Sequence, residues 1–247
     1  MKIDVKQVLR ESADVYKSHF RHLIGASLIA SLYSLLLESM SLYAMFKEYP
    51  ALLAIFALTI VALLIVALFI LPKNTMAIIV LINSFFTEKQ LTYRESYRRT
   101  KGKYWVMAES LVPMTLLMIL PVFAFRFVNL NSLSVSLFNA IYSAVISSIF
   151  YPIWPMIALE TKSYQYLGKA SKLIKGNFPA AFVLTLITTT LLTALRAVAA
   201  YFLNSYPIGL LISKIVYVIA YFFMFSFLNI VLVIVYRQLP KQNQTEE

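Results

Sequence analysis

The chain has 247 residues, of which 60% are hydrophobic and 13% charged; its mean hydropathy is +0.76, its net charge +11, and it has no cysteine. In a soluble domain about a quarter of the residues are charged, so this composition excludes a water-soluble fold and reads as an all-α integral membrane protein. The missing cysteine excludes disulfides, thiolate metal sites and a cysteine nucleophile.

The first 22 residues are an amphipathic, basic segment with Lys2, Lys6, Arg10, Lys17 and Arg21. A basic start before an apolar run resembles a signal peptide, but the run 23–46 is longer than an h-region of about 7–15 residues. It is therefore expected to be a retained span. Lys47-Glu48-Tyr49-Pro50 makes a turn, and the second span covers 51–71. About 20 residues cross the hydrocarbon, so that stretch suffices alone. Asn74–Phe86, beyond Pro72 and Lys73, either extends it past a kink, the favoured reading, or lies at the interface. Next comes the basic stretch Leu91–Tyr104, with Arg94, Arg98, Arg99, Lys101 and Lys103. Further spans are expected over 105–125, 134–159, 178–203 and 209–236, six in all, with a polar tail over 237–247. Ladders of small residues, Ala26-Ala30-Ser34, Ser27-Ser31, Ala140-Ala144-Ser148 and Thr189-Thr193-Ala197, suit close helix contact in lipid.

Three stretches align without gaps on a shared lysine: Lys17-Ser18-His19-Phe20, Lys101-Gly102-Lys103-Tyr104 and Lys175-Gly176-Asn177-Phe178. Upstream, the columns Leu9/Tyr93/Leu167, Ser12/Ser96/Ala170, Ala13/Tyr97/Ser171 and Tyr16/Thr100/Ile174 are apolar or small, at helical spacing. Each copy precedes an apolar run. The pattern predicts three repeats of an interfacial amphipathic helix plus a transmembrane hairpin.

Charge gives the orientation. The segments 1–22, 87–104, 159–177 and 237–247 hold 17 of the 22 Lys and Arg residues, while the opposite connectors hold only Lys47 and Arg126. Positive charge stays inside, so both termini are expected in the cytoplasm. Because these basic residues border apolar runs, their expected partner is an anionic headgroup and not nucleic acid. The contact residues so predicted are Lys17, Arg94, Arg98, Arg99, Lys101, Lys103, Lys172 and Lys175.

Four charges fall in or near the spans. Glu109 and Lys214 lie close enough to span ends to snorkel. Glu38 and Arg196 lie about eight residues from the outer ends, roughly 12 Å deep. A charge at that depth costs about 2.5–3.5 kcal/mol on insertion scales, so the two are expected to face each other as an intramembrane pair, whether to fix helix register or to line a pathway. His19 and His22 are too few for a zinc site, which takes three or four ligands. No cofactor or metal is expected, and no catalytic motif is present, so the expectation is a protein that is not an enzyme.

The run Ala170-Ser171-Lys172-Leu173-Ile174-Lys175-Gly176-Asn177-Phe178, with Glu160 about ten residues before it and Val235-Tyr236-Arg237 near the end, resembles the membrane domain that accompanies some bacterial glycerophosphodiester phosphodiesterases and also occurs alone. Catalysis in such enzymes belongs to a separate barrel, for which this chain has no room. The resemblance implies a stand-alone membrane domain and carries over no catalytic residue. Three roles stay open: a lipid-engaging membrane module, the membrane subunit of an exporter working with a separate ATPase, and an immunity or stress-protection protein.

Overall fold

The fold comes from a computed structural model that describes residues 3–40, 50–87, 90–124, 132–160, 166–203 and 209–239. These form nine helices and no strand: α1 Val5–Met40, α2 Pro50–Ser84, α3 Tyr93–Arg99, α4 Tyr104–Ala124, α5 Ser132–Phe150, α6 Ile153–Leu159, α7 Tyr166–Ile174, α8 Phe178–Leu203 and α9 Gly209–Gln238.

Asp4 starts α1, its Oδ1 accepting from the amides of Lys6 (2.9 Å) and Gln7 (3.2 Å), as an N-cap does. The helix then runs unbroken to Met40, 36 residues and about 54 Å. The separate interfacial segment expected over 1–22 is thus continuous with the first span. The reason lies at Ser18. Its hydroxyl donates back to the carbonyls of Asp14 (2.8 Å) and Val15 (3.1 Å), and serine reaches only at a cost of about 1–2 kcal/mol the left-handed backbone that Gly102 and Gly176 adopt at the matching positions.

α2 begins on Pro50, a residue suited to a first helical turn, and continues through Pro72 to Ser84. Asn74–Ser84 therefore extends the second helix. Surroundings change abruptly at the proline. Before it, Leu58, Val61, Phe69 and Ile70 are exposed; after it, every residue from Met76 to Ile82 is buried. With 35 residues, about 52 Å, α2 is longer than the ~30 Å hydrocarbon layer.

The long helices close a ring. α1 packs on α2, α2 on α4, α4 on α5, α5 on α8, α8 on α9, and α9 back on α1 over the most extensive contact of all. Inside one end of this ring, three chain segments make a common core: Met76–Ile82 of α2, Ile153–Ala158 of α6 and Ile230–Val235 of α9. Small residues mediate two of the ring contacts. Ser27 of α1 hydrogen-bonds Ser226 of α9. On α5 Ala144 and Ser148 are both fully buried, and Ser148 reaches Thr185 Oγ1 of α8 (3.3 Å). The remaining ladder residues have side chains outside the described set.

Away from that core the helices turn apolar side chains outward. Val112, Leu116 and Leu120 make an exposed stripe on α4, and Val183, Ile187 and Leu191 make another on α8. α1, α2, α5 and α9 each expose large apolar residues as well, and in water surface of this extent and continuity is an interaction site. Two stretches among the described residues are long and apolar enough to cross a membrane, Ile141–Leu159, which runs from α5 through α6, and Val218–Gln238 of α9.

Candidate functional site

The charged residues gather where α2, α6 and α9 end and α4 and α8 begin. Two of the aligned turns have the same construction there. Thr92 and Glu95 form a capping box that starts α3, and the chain leaves α3 through Gly102 at φ 84° before entering α4. After α7 it does the same through Gly176 at φ 89° before entering α8. A left-handed residue between helices is a glycine position because a Cβ there meets the backbone.

The aligned columns share environments as well. Ser12, Ser96 and Ala170 are all completely buried, and Lys17, Lys101 and Lys175 are all exposed. The residue two after each lysine turns toward a different part of the chain. His19 stacks on Phe85 at 4.0 Å between ring centres. Lys103 Nζ donates to the carbonyls of Ala158 (2.9 Å) and Glu160 (2.7 Å), closing the C-terminal end of α6. Asn177 Oδ1 accepts from the amide of Ile3 (3.1 Å). Each of these residues holds the stretch that leads into another aligned copy: the first holds the approach to the second, the second that to the third, and the third that to the first.

Of the predicted contact residues, Lys17, Arg94, Arg98, Arg99, Lys101, Lys172 and Lys175 are exposed and free to meet solvent or a headgroup. Lys103 differs. It is half-buried between α4 and α6, and burial lowers its pKa from the usual lysine value although Glu160 pulls the other way. Glu38 and Arg196 fall on α1 and α8, which touch, but both side chains lie outside the described set. Glu109 is exposed on the second turn of α4, and Trp105, at 68% exposure, stands one turn before it. His19 and His22 face each other at 6.4 Å between ring centres; no group of three metal-ligating side chains occurs among the described residues.

Several contacts at this end were not foreseen from the sequence. Tyr236 donates to the Glu160 carboxylate. Arg237 donates to Asn83 Oδ1 (3.0 Å) and lies over the Phe86 ring at 4.8 Å. Tyr93 donates to Asn74 Oδ1 (2.6 Å); burial, with Tyr97 alongside, pushes its phenol up to about 12, so it stays a neutral donor. Lys73 sits over the Tyr97 ring at 4.3 Å. A signal for these was present: Asn74, Asn83 and Asn177 are amides inside or beside apolar runs, and a buried amide needs partners.

Between the end of α2, the end of α3 and the end of α6 lies a pocket of ≈ 250 Å³, lined by Val80, Asn83, Ser84, Thr87, Leu91, Arg99, Lys103, Ala158 and Leu159. No acidic side chain lines it among the described residues. The site thus combines an exposed basic rim with a small polar recess, at the end of an all-helical fold that contains two helices able to cross a membrane. No protein-family model matches this chain, and no curated protein and no solved structure matches it either.

Proposed function

We propose that this chain is a multi-pass membrane protein with six transmembrane helices in three repeats, both termini in the cytoplasm, and that it acts as a non-catalytic module engaging anionic lipid. One observation carries this reading: exposed cations from all three aligned copies, Lys17, Lys101 and Lys175 with Arg98, Arg99 and Lys172, rim the same end of a bundle whose sides expose apolar stripes. Beside a bilayer, each such cation contributes about 1 kcal/mol of attraction to anionic headgroups. The shared turn at Gly102 and Gly176, and the cyclic contacts of His19, Lys103 and Asn177, support the repeat. Glu160, Asn177, Tyr236 and Arg237, on which the resemblance to the phosphodiesterase membrane domain partly rests, all make their contacts at this end.

The missing cysteines make the topology directly testable. Single cysteines placed at Lys17, Lys101, Lys175, Lys47 and Arg126 should divide into two groups toward a membrane-impermeant thiol reagent, the first three protected in intact cells and the last two labelled. Labelling of Lys101→Cys from outside would overturn the orientation. For function, native mass spectrometry of the gently extracted protein should find anionic lipid retained. Neutralising the charges of 91–104 should release it, whereas scrambling their order should matter less. A stoichiometric ATP-binding partner lost on scrambling would instead favour the exporter reading, in which the same end docks the ATPase.

A further inference from the structure

The polar pocket beside Arg99 goes beyond a diffuse basic surface. Two cations, Arg99 and Lys103, line one cavity, and no acidic side chain among the described residues lines it with them, Glu160 acting on Lys103 from outside that lining. Lys103 has a structural task, since the carbonyl end of α6 draws it in and its ammonium meets two carbonyls there; one of its three N–H groups remains. Arg99 has no such task. It is exposed, and its guanidinium has no hydrogen-bond or ion-pair partner among the described residues. Asn83 also lines the pocket; its Oδ1 accepts from Arg237 (3.0 Å), which leaves its Nδ2 amide to act as a third donor. The volume of ≈ 250 Å³ leaves room for a headgroup-sized anion.

We infer that this pocket is a discrete phosphate-binding site, with Arg99 as the bidentate clamp and Lys103 and Asn83 as the flanking donors. A planar guanidinium fork matches two phosphate oxygens, and the recess gives those oxygens a fixed place that the outer lysines do not. The phosphate is either a free phosphate monoester from the cytoplasm or the headgroup of an anionic lipid. Lys103 lies two residues before the exposed Trp105, a residue type that favours headgroup depth, so both sources have access. In its lipid form the site rests on the membrane reading above; as a site for free phosphate it does not.

The test uses the full chain in neutral detergent and two exposed arginines that are sequence neighbours. Arg99 lines the pocket and Arg98 does not. Inorganic phosphate and glycerol 3-phosphate are titrated at constant ionic strength while the melting temperature is followed. In parallel, native mass spectrometry counts phosphatidylglycerol retained from mixed phosphatidylglycerol–phosphatidylcholine nanodiscs. The expected result is a saturable phosphate effect, or specific retention of phosphatidylglycerol, weakened about tenfold or more by Arg99→Gln and changed about twofold or less by Arg98→Gln. Arg99→Lys, which keeps the charge but loses the fork, should fall between them. Saturation by soluble phosphate identifies a cytoplasmic ligand, and retention of lipid alone identifies the bilayer; either upholds the pocket. Equal losses in Arg98→Gln and Arg99→Gln would overturn the pocket and leave the lipid-engaging surface standing. An absence of both phosphate saturation and phosphatidylglycerol retention in the parent chain would overturn both.

Discussion

Two regions of this protein have nearly the same sequence pattern and different backbones. Lys17-Ser18-His19-Phe20 lies inside one helix of 36 residues, and Lys101-Gly102-Lys103-Tyr104 is a turn between two helices. The burial pattern is the same in both, with Ser12 and Ser96 at the centre of the packed face and Lys17 and Lys101 outside. The face toward the core is therefore set by the spacing of small and apolar residues. Whether the chain bends is set separately, by a glycine that can take φ 84° or a serine that stays helical and bonds to its own previous turn. One consequence is mechanical: the first copy couples residues near the N-terminus to the rest of α1 through one continuous helix, while the other two are turns between helices, and the approach to each of the three is held by a side chain from another copy.

Substituting those holding side chains should break the comparison most strongly. Lys103→Met removes the donor to two carbonyls, one of them on the buried Ala158. A buried acceptor left unpaired costs about 1–3 kcal/mol. A loss of roughly 2–3 kcal/mol is expected in thermal unfolding of the detergent-solubilised chain. His19→Leu, which can still pack on Phe85, should cost well under half of that. Equal losses from the two changes would mean that the ring stacking at the approach to the second copy supports the fold as much as the ammonium does at the approach to the third.

The glycines come next. Beyond the adjoining residues a Cβ at Gly102 or Gly176 would meet no atom within 4 Å, so Gly102→Ala and Gly176→Ala should each cost about 1–2 kcal/mol through local backbone conformation alone. Ser18→Gly should cost only about 0.5–1 kcal/mol, the ordinary helix penalty, and should leave helical circular dichroism unchanged. A large loss of helicity in Ser18→Gly would show that the first copy is poised to bend like the others. A milder change, which sharpens the contrast, is titration of Lys103. Burial sets its folded pKa below 10.5, the ordinary value it returns to on unfolding. Between those two values the unfolded chain binds more protons, so the contribution of this group to stability rises with pH. The melting temperature of the parent chain should therefore gain slightly on that of Lys103→Gln as pH approaches 10.5. A falling difference would mean that the ammonium is better held in the fold than its burial implies.

Much of this arrangement was legible because hydrophobic patterning and local chemistry dominate it. The helical nature of the chain, the start of α4 and α8 after their glycines, and the exposure of most of the predicted basic residues followed from spacing and residue type. Lys103 was read as one more surface cation, since its sequence neighbours Lys101 and Tyr104 say nothing of the α6 carbonyls 55 and 57 residues away. The extension of α2 past Pro72 was the favoured of two readings, with an interfacial segment as the other. A proline removes one amide and crowds the preceding turn, and a sequence cannot say whether neighbouring helices will hold the helix together across it. Here the buried segment Met76–Ile82, packed against α6 and α9, does so.

By itself, then, the sequence determined what is local: an apolar helical chain, basic residues confined to particular segments, and a recurring lysine–small–polar–aromatic pattern. These depend on the periodicity of neighbouring residues and on single-residue backbone preferences. Tertiary structure alone decided that α9 closes the ring on α1, that Asn177 holds Ile3 across 174 positions, and that Arg99, Lys103 and Asn83 line one cavity. Those juxtapositions depend on which helix faces meet, and that is fixed by the packing of the whole bundle rather than by any stretch within it.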